Sequence, residues 1–245
     1  MTTVIMARTS EFSIVMSDTR EGKTDKNDPN YPYEDGIQKL YSIPRLGFIT
    51  GAGDGEFLNK VKENVIKKRY IKNIIEITNI FEETANNEKT MYPSYAEEID
   101  SSYIVYSWRG ANTDGSDLFG INIISESYRD LYDGTNMRGI QENELAIIYP
   151  SDLVNKKEEI NNFVERVQNL DVKALPFNRL IFEMLKLFRD ISALSEESSS
   201  ECEIGVLYLS KLDQLYYKQG TREDVNKLID VAHKNKILKK FHDVD

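Results

Sequence analysis

Two short stretches of alternating side chains open the chain and predict a β-hairpin. Residues 3–8 alternate between two sets of positions, and residues 12–17 repeat the alternation before Asp18. A period of two places successive side chains on opposite faces of a strand. Residues 9–11 are short and polar, as a connection between antiparallel strands requires. We therefore expect a hairpin whose first strand begins at the start of the chain.

Strand-like and helix-like segments alternate along the rest of the chain. The predicted strands are residues 37–43, 46–50, 103–108, 118–124, 128–132, 146–149, 204–209 and 214–217. The predicted helices are residues 54–69, 70–87, 150–170 (with Ser151 or Asp152 as N-cap), 177–194 and 221–239. The expected polar connections are residues 21–36, 88–101 and 196–203. This order predicts an α+β fold in which two sheets pack face to face with helices outside each.

Composition excludes several classes of function. A net charge of −10 argues against a nucleic-acid binder, because phosphate contacts need clustered Lys and Arg. No stretch approaches the roughly 18 consecutive apolar residues of a membrane span, and the first residues do not form a signal peptide. The single cysteine, Cys202, excludes an intramolecular disulfide and fits a reducing compartment. We expect a cytoplasmic protein that does not bind membranes or nucleic acids.

Candidate ligand sites are few. The two histidines, His233 and His242, lack the spacing of metal ligands, so no metal site and no cofactor are predicted. Residues 51–55 form a turn with three glycines between a predicted strand and a predicted helix. Such a turn can direct backbone N–H groups at a ligand, or it can simply supply positive φ angles. Neither the dinucleotide spacing nor the Walker pattern is present, so a phosphate site has only weak support.

The second residue carries the clearest chemistry. Thr2 follows Met1, and methionine aminopeptidases generally remove Met before a small side chain. Removal would give Thr2 a free α-amine beside its own hydroxyl. An α-amine has a pKa of about 7.7–8.0, so part of it is neutral at pH 7 and can accept the hydroxyl proton. Nucleophile and base would then lie in one residue.

These features together resemble the proteasome-type N-terminal nucleophile hydrolases, namely proteasome β-subunits and the related peptidase subunit of a bacterial ATP-dependent protease. The resemblance rests on Thr2 and Thr3, on Ser17 to Arg20, on Lys39 before Leu40, and on the Gly51 turn before a helix. Asp18 follows Thr2 by sixteen residues, as in the family. Lys39 comes a few residues late, which is consistent with an insertion in residues 21–36. The resemblance implies one domain over residues 1–245, a four-layer αββα sandwich whose residues 221–245 are a C-terminal helix and tail.

The resemblance also implies roles for individual residues. Thr2 Oγ would attack a peptide carbonyl, with the α-amine as general base. Lys39 would lower the pKa of the hydroxyl, and Asp18 would hold the Lys39 ammonium charged and oriented. The backbone N–H of Gly51 would lie in the oxyanion hole, or that of Gly53 if the turn is offset by two residues. An ordinary salt bridge between Asp18 and Lys39 is the alternative interpretation of that pair.

The family's supporting residues are altered here. A serine-containing turn precedes the third helix in the family, and only Ser151 could stand in for its serine. A further Asp and Ser normally follow the fourth helix. Ser199 or Ser200 could replace that Ser, but no residue takes the place of the Asp. The acidic pairs at 97–98 and 196–197 are expected to be solvated.

Three functions are compatible with these observations. The leading hypothesis is a divergent bacterial proteasome-like threonine hydrolase of peptide or amide bonds. Its implied partners are further copies of itself in a ring, a peptide or protein substrate, and an ATPase or other regulatory protein. A non-catalytic scaffold subunit of the same fold is the alternative. A small-amide hydrolase, with residues 21–36 capping its pocket, is the third.

Overall fold

Strands and helices alternate in groups along the chain. The structure is a computed structural model that describes residues 2–23, 32–68, 71, 73–111, 117–129, 131, 134–209, 215–220, 223–234, 236–237 and 241–243. In those ranges the strands are β1 (Val4–Arg8), β2 (Phe12–Asp18), β3 (Glu21–Gly22), β4 (Tyr33–Glu34), β5 (Tyr41–Ile43), β6 (Gly47–Ala52), β7 (Tyr103–Ala111), β8 (Asp117–Ile124), β9 (Met137–Gly139), β10 (Glu144–Ile148), β11 (Glu201–Leu209), β12 (Leu215–Gly220), β13 (Glu223–Asp224) and β14 (Phe241–Asp243). The α-helices are α1 (Gly55–Lys67), α2 (Ile75–Met91), α3 (Ala96–Asp100), α4 (Lys157–Gln168), α5 (Phe177–Leu194) and α6 (Val225–His233).

Two antiparallel sheets contain most of these strands. Over the described residues, the first sheet has the order β10-β1-β2-β11-β12-β14, and β13 pairs with β11. The second sheet has the order β5-β6-β7-β8-β9, while β3 and β4 form a separate two-stranded ribbon. All neighbouring strands are antiparallel. This confirms the prediction of two antiparallel sheets.

The sheets are the inner two of four layers. Ile5 and Ala7 of β1 pack in an apolar cluster with α5 and α6. Val4 and Met6, which alternate with them, face the second sheet and pack in a separate cluster with residues of β6, β7 and β8. A third cluster joins the outer face of the second sheet to α1 and α2. The period of two in β1 therefore buries both faces of the strand, and the four-layer αββα arrangement is confirmed.

The first hairpin determines which residues meet at one end of the first sheet. Val4 of β1 is opposite Ser17 of β2. The backbone N–H of Asp18 donates to the carbonyl of Thr3, 3.2 Å away. On its other side, β2 pairs with β11, where Asp18 is opposite Cys202. Residues that follow β2 and residues that precede β1 and β11 therefore lie together.

Residues 37–40 are not part of a strand, although a strand was predicted for residues 37–43. The backbone N–H groups of Lys39 and Leu40 donate to the Glu203 carboxylate, at 2.8 and 2.9 Å. The N–H of Ile37 donates to the carbonyl of Thr19, 2.9 Å away. The segment is held by these separate bonds, and β5 begins only at Tyr41.

Three other predicted segments differ in the structure. Residues 88–101 complete α2 and then form a 3₁₀ turn and α3, because Pro93 starts a new helical turn. Residues 126–128 form a 3₁₀ turn, so the strand predicted at 128–132 is wrong over its described residues. Residues 151–153 also form a 3₁₀ turn and α4 begins at Lys157, so neither Ser151 nor Asp152 is its N-cap.

The predicted loop 21–36 and the C-terminal region 221–245 are among the segments that are only partly described. The predicted loop 21–36 contains the β3–β4 ribbon, and its residues 24–31 lie outside the described residues. Residues 221–245 contain β13, α6 and β14, and their remaining positions lie in part outside the described ranges. Among the helices that are described, none combines the length and hydropathy needed to cross a bilayer.

Candidate active site

Thr2, Lys39 and Asp18 meet at the end of the first sheet. The Lys39 ammonium donates to Thr2 Oγ1 at 2.7 Å and to Asp18 Oδ1 at 3.0 Å. It also donates to the backbone carbonyl of Arg20. Three acceptors match the three N–H bonds of an ammonium. Lys39 is therefore held as a fixed positive charge against the Thr2 hydroxyl oxygen.

Asp18 is fully buried and is surrounded by donors. Its Oδ2 accepts from the backbone N–H of Thr3 at 2.6 Å, and its Oδ1 accepts from that of Arg20 at 2.7 Å. Burial raises the pKa of Asp18, while the charge of Lys39 and these hydrogen bonds act in the opposite direction. With three donors around it, the carboxylate has the partners that a buried charge requires. Asp18 thus fixes both Lys39 and the backbone beside Thr2.

Glu203 is a site residue that the sequence did not indicate. Its side chain is buried, and its Oε2 accepts from two successive backbone N–H groups, those of Lys39 and Leu40. Glu203 lies in β11 opposite Ser17 of β2. The carboxylate therefore connects the central strand of the sheet to the segment that carries Lys39. No motif signals this role, because Glu203 is separated from Lys39 by 164 residues.

A cavity of about 780 Å³ lies in front of Thr2. Thr2, Lys39, Gly51, Gly53 and the first turns of α1 contribute to its wall. Its volume is in the range of small-molecule and peptide side-chain sites. Thr2 itself is only 5% exposed, so a reacting group would have to reach it through this cavity.

The two candidate oxyanion donors differ in their backbone setting. Gly51 is inside β6 and is paired with Ile104 of β7. Gly53 follows the end of β6 and has a φ of +135°, a conformation that favours glycine. A Cβ at Gly53 would also lie 2.3 Å from Ser102 Oγ. Both glycines line the cavity, so the N–H of Gly51 and the N–H of Gly53 both stay candidates for a ligand contact.

Ser151 is hydrogen-bonded to Glu197. Within the described residues, its hydroxyl has no hydrogen bond to Thr2. Its hydroxyl and its backbone N–H bind the Glu197 carboxylate at 2.7 to 2.9 Å. Burial acts to raise the pKa of Glu197, but the hydrogen bonds from Ser151 and Asp152 hold it below the ordinary value. The expectation that residue 197 is merely solvated is wrong.

The serines after Glu197 are part of the same region. Ser198 Oγ accepts from the hydroxyl of Thr3 at 2.8 Å. Ser199 Oγ accepts from the backbone N–H of Thr19 at 3.1 Å. Glu197 is thus one residue away from a direct contact with Thr3. Glu197 lies between α5 and β11, in the segment 196–203 that was expected to be a polar connection.

Cys202 and the acid-rich segments add no second reactive centre. Burial raises the pKa of the Cys202 thiol, so it stays protonated and inert. Among the described residues, no group of three or more His, Cys, Asp or Glu side chains could hold a metal ion.

Known proteins share the fold of this chain. The solved structure of the Gly-1 mutant of Anbu from Hyphomicrobium sp. strain MC1 is similar over 100% of both chains, with a TM-score of 0.63 and 9% identity. Anbu is a bacterial proteasome-like protein of the N-terminal nucleophile type. No protein-family model matches the chain. No curated protein matches it either. The chain therefore has the proteasome-like N-terminal nucleophile fold, at an identity that shows the fold alone.

Proposed function

We propose that this protein is a proteasome-like threonine hydrolase that cleaves peptide or amide bonds with Thr2 after removal of Met1. The observation that carries the proposal is the 2.7 Å hydrogen bond from the Lys39 ammonium to Thr2 Oγ1. A buried salt bridge alone does not require a hydroxyl at that point. The proteasome-like fold supports the same chemistry, because it brings the start of β1 to the Lys39 segment.

The first step is attack by Thr2 Oγ on the carbonyl carbon. Lys39 donates to the oxygen, so this bond does not use the hydroxyl hydrogen, which can pass to a base. The freed α-amine of Thr2, with a pKa of about 7.7–8.0, is that base, acting directly or through a water. The positive charge of Lys39 lowers the pKa of the hydroxyl and stabilises the oxygen as it loses its proton. The backbone N–H of Gly51, or that of Gly53, would donate to the carbonyl oxygen as it becomes negative.

The second step releases the product. The amine returns its proton to the leaving nitrogen, and the acyl group remains on Thr2 as an ester. Water, activated by the same amine, then hydrolyses the ester. Asp18 and Glu203 act through Lys39, since one binds its ammonium and the other binds its backbone. They are positioning residues in this scheme.

Assembly into a ring of identical chains is part of the proposal. Its support is the proteasome-like fold that the chain shares with Anbu. An ATPase or other gatekeeper would be a further partner of such a ring. Light scattering on the purified full chain should give a mass several times that of one chain, and a monomer at micromolar concentration would contradict this part of the proposal.

Labelling of a Met-free sample by a threonine-directed epoxyketone tests the chemistry. Intact mass should show one adduct on the wild-type protein and none on Thr2→Ala. Lys39→Met should slow labelling about 10²- to 10³-fold, the usual effect of removing one electrostatic donor. Lys67→Met is the matched control, because Lys67 is 70% exposed on α1 and pairs with the exposed carboxylate of Glu63. Absence of any Thr2-dependent adduct on Met-free protein would remove the hydrolase assignment and leave a scaffold subunit.

A further inference from the structure

A second lysine lies in the wall of the same cavity. Lys62 is on α1 and is only 5% exposed. It contributes to the cavity together with Thr2 and Lys39. Lysine is rarely buried to this extent unless its charge is paired. The side chain therefore needs an explanation that α1 packing alone does not provide.

Lys62 differs from the other cations that line the cavity. Lys39 binds Asp18, while Arg20 and Lys23 each have an ion pair with an acidic side chain. The Lys62 ammonium instead lies over the ring of Tyr41, 5.1 Å from its centre. Among the residues that the structure describes, no carboxylate comes within ion-pair distance of it.

Among the described residues, the acidic side chains of the cavity wall have other partners or are exposed. Glu21 and Glu88 are in ion pairs with other lysines. Asp54 caps α1 by accepting from a backbone N–H in the first turn. The side chain of Glu56 is 84% exposed. Within the described part of the cavity wall, the Lys62 ammonium is therefore the one whose hydrogen bonds are available to a ligand.

The energetic consequence is that an anion in the cavity would be stabilised. Burial, and then the positive charge of Lys39, lower the pKa of Lys62 to about 8, while Glu21 and Glu203 act in the other direction. The group is still mostly protonated at neutral pH. A ligand carboxylate would supply both the countercharge and the acceptor that the buried ammonium lacks.

We propose that Lys62 determines specificity by binding a substrate carboxylate close to the bond that is cleaved. The inference rests on the proposed function, because the cavity that holds Lys62 is also the one through which Thr2 is reached. An acidic side chain on the acyl side of the bond would extend from the Thr2 region toward α1. A free chain-end carboxylate has the same chemistry, and the experiment distinguishes the two.

The experiment uses the Met-free full chain and matched peptides. The peptides have Glu or Gln at the acyl-side residue with an amidated C-terminus, and a third carries Gln with a free C-terminal acid. Cleavage is measured as kcat/KM with active protein, and binding is measured as Kd with Thr2→Ala protein. Lys62→Met removes the charge at similar length, and Lys67→Met on the exposed face of α1 is the control. Thermal unfolding checks that both variants are folded.

We expect a protein that keeps Lys62 to favour the Glu peptide over the amidated Gln peptide by about tenfold or more, in cleavage and in binding, as a charge-assisted bond to a buried ammonium should. Lys62→Met should remove this preference and leave the Gln peptide cleaved, and Lys67→Met should keep it. If the preferred ligand is instead the Gln peptide with a free acid, the carboxylate is that of a chain end.

Three results would overturn the inference. One is an equal Kd for all three peptides with Thr2→Ala protein that keeps Lys62. Another is a preference for the acid that survives Lys62→Met. The last is an equal loss of kcat/KM for every peptide in Lys62→Met, which would mean that Lys62 acts on Thr2 and not on the substrate. If no peptide is cleaved at all, the proposed hydrolase function fails, while the Kd values still decide the role of Lys62.

Discussion

Replacement of Lys62 by Met should make the folded protein more stable at neutral pH. The pKa of Lys62 falls from 10.5 to about 8, mainly because the charge is buried. At about 1.4 kcal/mol per tenfold change in proton affinity, this corresponds to a destabilisation of about 3 kcal/mol. Loss of the ammonium contact with Tyr41 would subtract about 1 kcal/mol from the gain. The expected net increase in the free energy of unfolding at pH 7 is therefore about 2 kcal/mol.

The pH dependence of this gain identifies its cause. Between pH 8 and 10.5 the unfolded chain still binds a proton at Lys62 while the folded chain has released it. Stability contributed by this group therefore rises with pH across that window. The advantage of Lys62→Met should be constant below about pH 8 and should shrink toward zero near pH 10.5. Lys39, Glu21 and Glu203 are the charged groups that act on Lys62, and all three are present in both proteins.

Urea unfolding at several pH values is the assay. Wild type, Lys62→Met and Lys67→Met are compared from pH 7 to pH 10.5 at one protein concentration, because assembly would also shift the transition. Lys67→Met should stay within about 0.5 kcal/mol of wild type, since its ion pair is exposed. A Lys62→Met protein that is less stable than wild type at pH 7, or whose gain persists unchanged at pH 10.5, would refute the reasoning.

Three other substitutions test the frame around the site. Glu203→Ala should lower the free energy of unfolding, measured in urea, by about 2 kcal/mol or more, because two buried backbone N–H groups lose their acceptor. The same substitution should slow epoxyketone labelling. Gly205→Ala should lower the free energy of unfolding, measured by thermal unfolding, by about 1–3 kcal/mol, since a Cβ would lie 2.6 Å from the buried Phe48 ring. Glu197→Ala should remove the hydrogen bonds to Ser151. We expect the fold-loss in kcat to exceed the fold-change in the equilibrium constant of unfolding. Unchanged kcat would show that this pair is only structural.

The periodicity of apolar residues identified the helices and strands that bury one or both faces at a regular spacing. The apolar stripe of residues 177–194 predicted α5 with both of its ends. The alternation at 3–8 and 12–17 predicted β1 and β2, which pack on both faces. Each of these signals is a period that repeats over at least one strand or several helical turns, so neighbouring residues reinforce it. Short elements such as β9, at three residues, carry no such period and were missed.

The sequence alone also identified the residues that meet at Thr2. The resemblance to the proteasome-type hydrolases linked Thr2 to Asp18 by its spacing, and the same resemblance indicated Lys39 and the glycine turn. It could not indicate Glu203 or Glu197, whose partners lie 164 and 46 residues away. A carboxylate that binds backbone N–H groups leaves no pattern at either position, because every residue except proline offers the same N–H.

What the sequence by itself determined is therefore the four-layer order of elements and the group of Thr2, Asp18 and Lys39 at one end of a sheet. Only the tertiary structure decided which carboxylate holds the Lys39 segment, which serine pairs with an acid, and that Lys62 is buried with no described carboxylate within ion-pair distance. In a sequence, Lys62 is one lysine among many on an amphipathic helix. Burial and the distance to the nearest opposite charge are properties of the packed chain, and they arise only when α1 closes against β5 and the cavity wall.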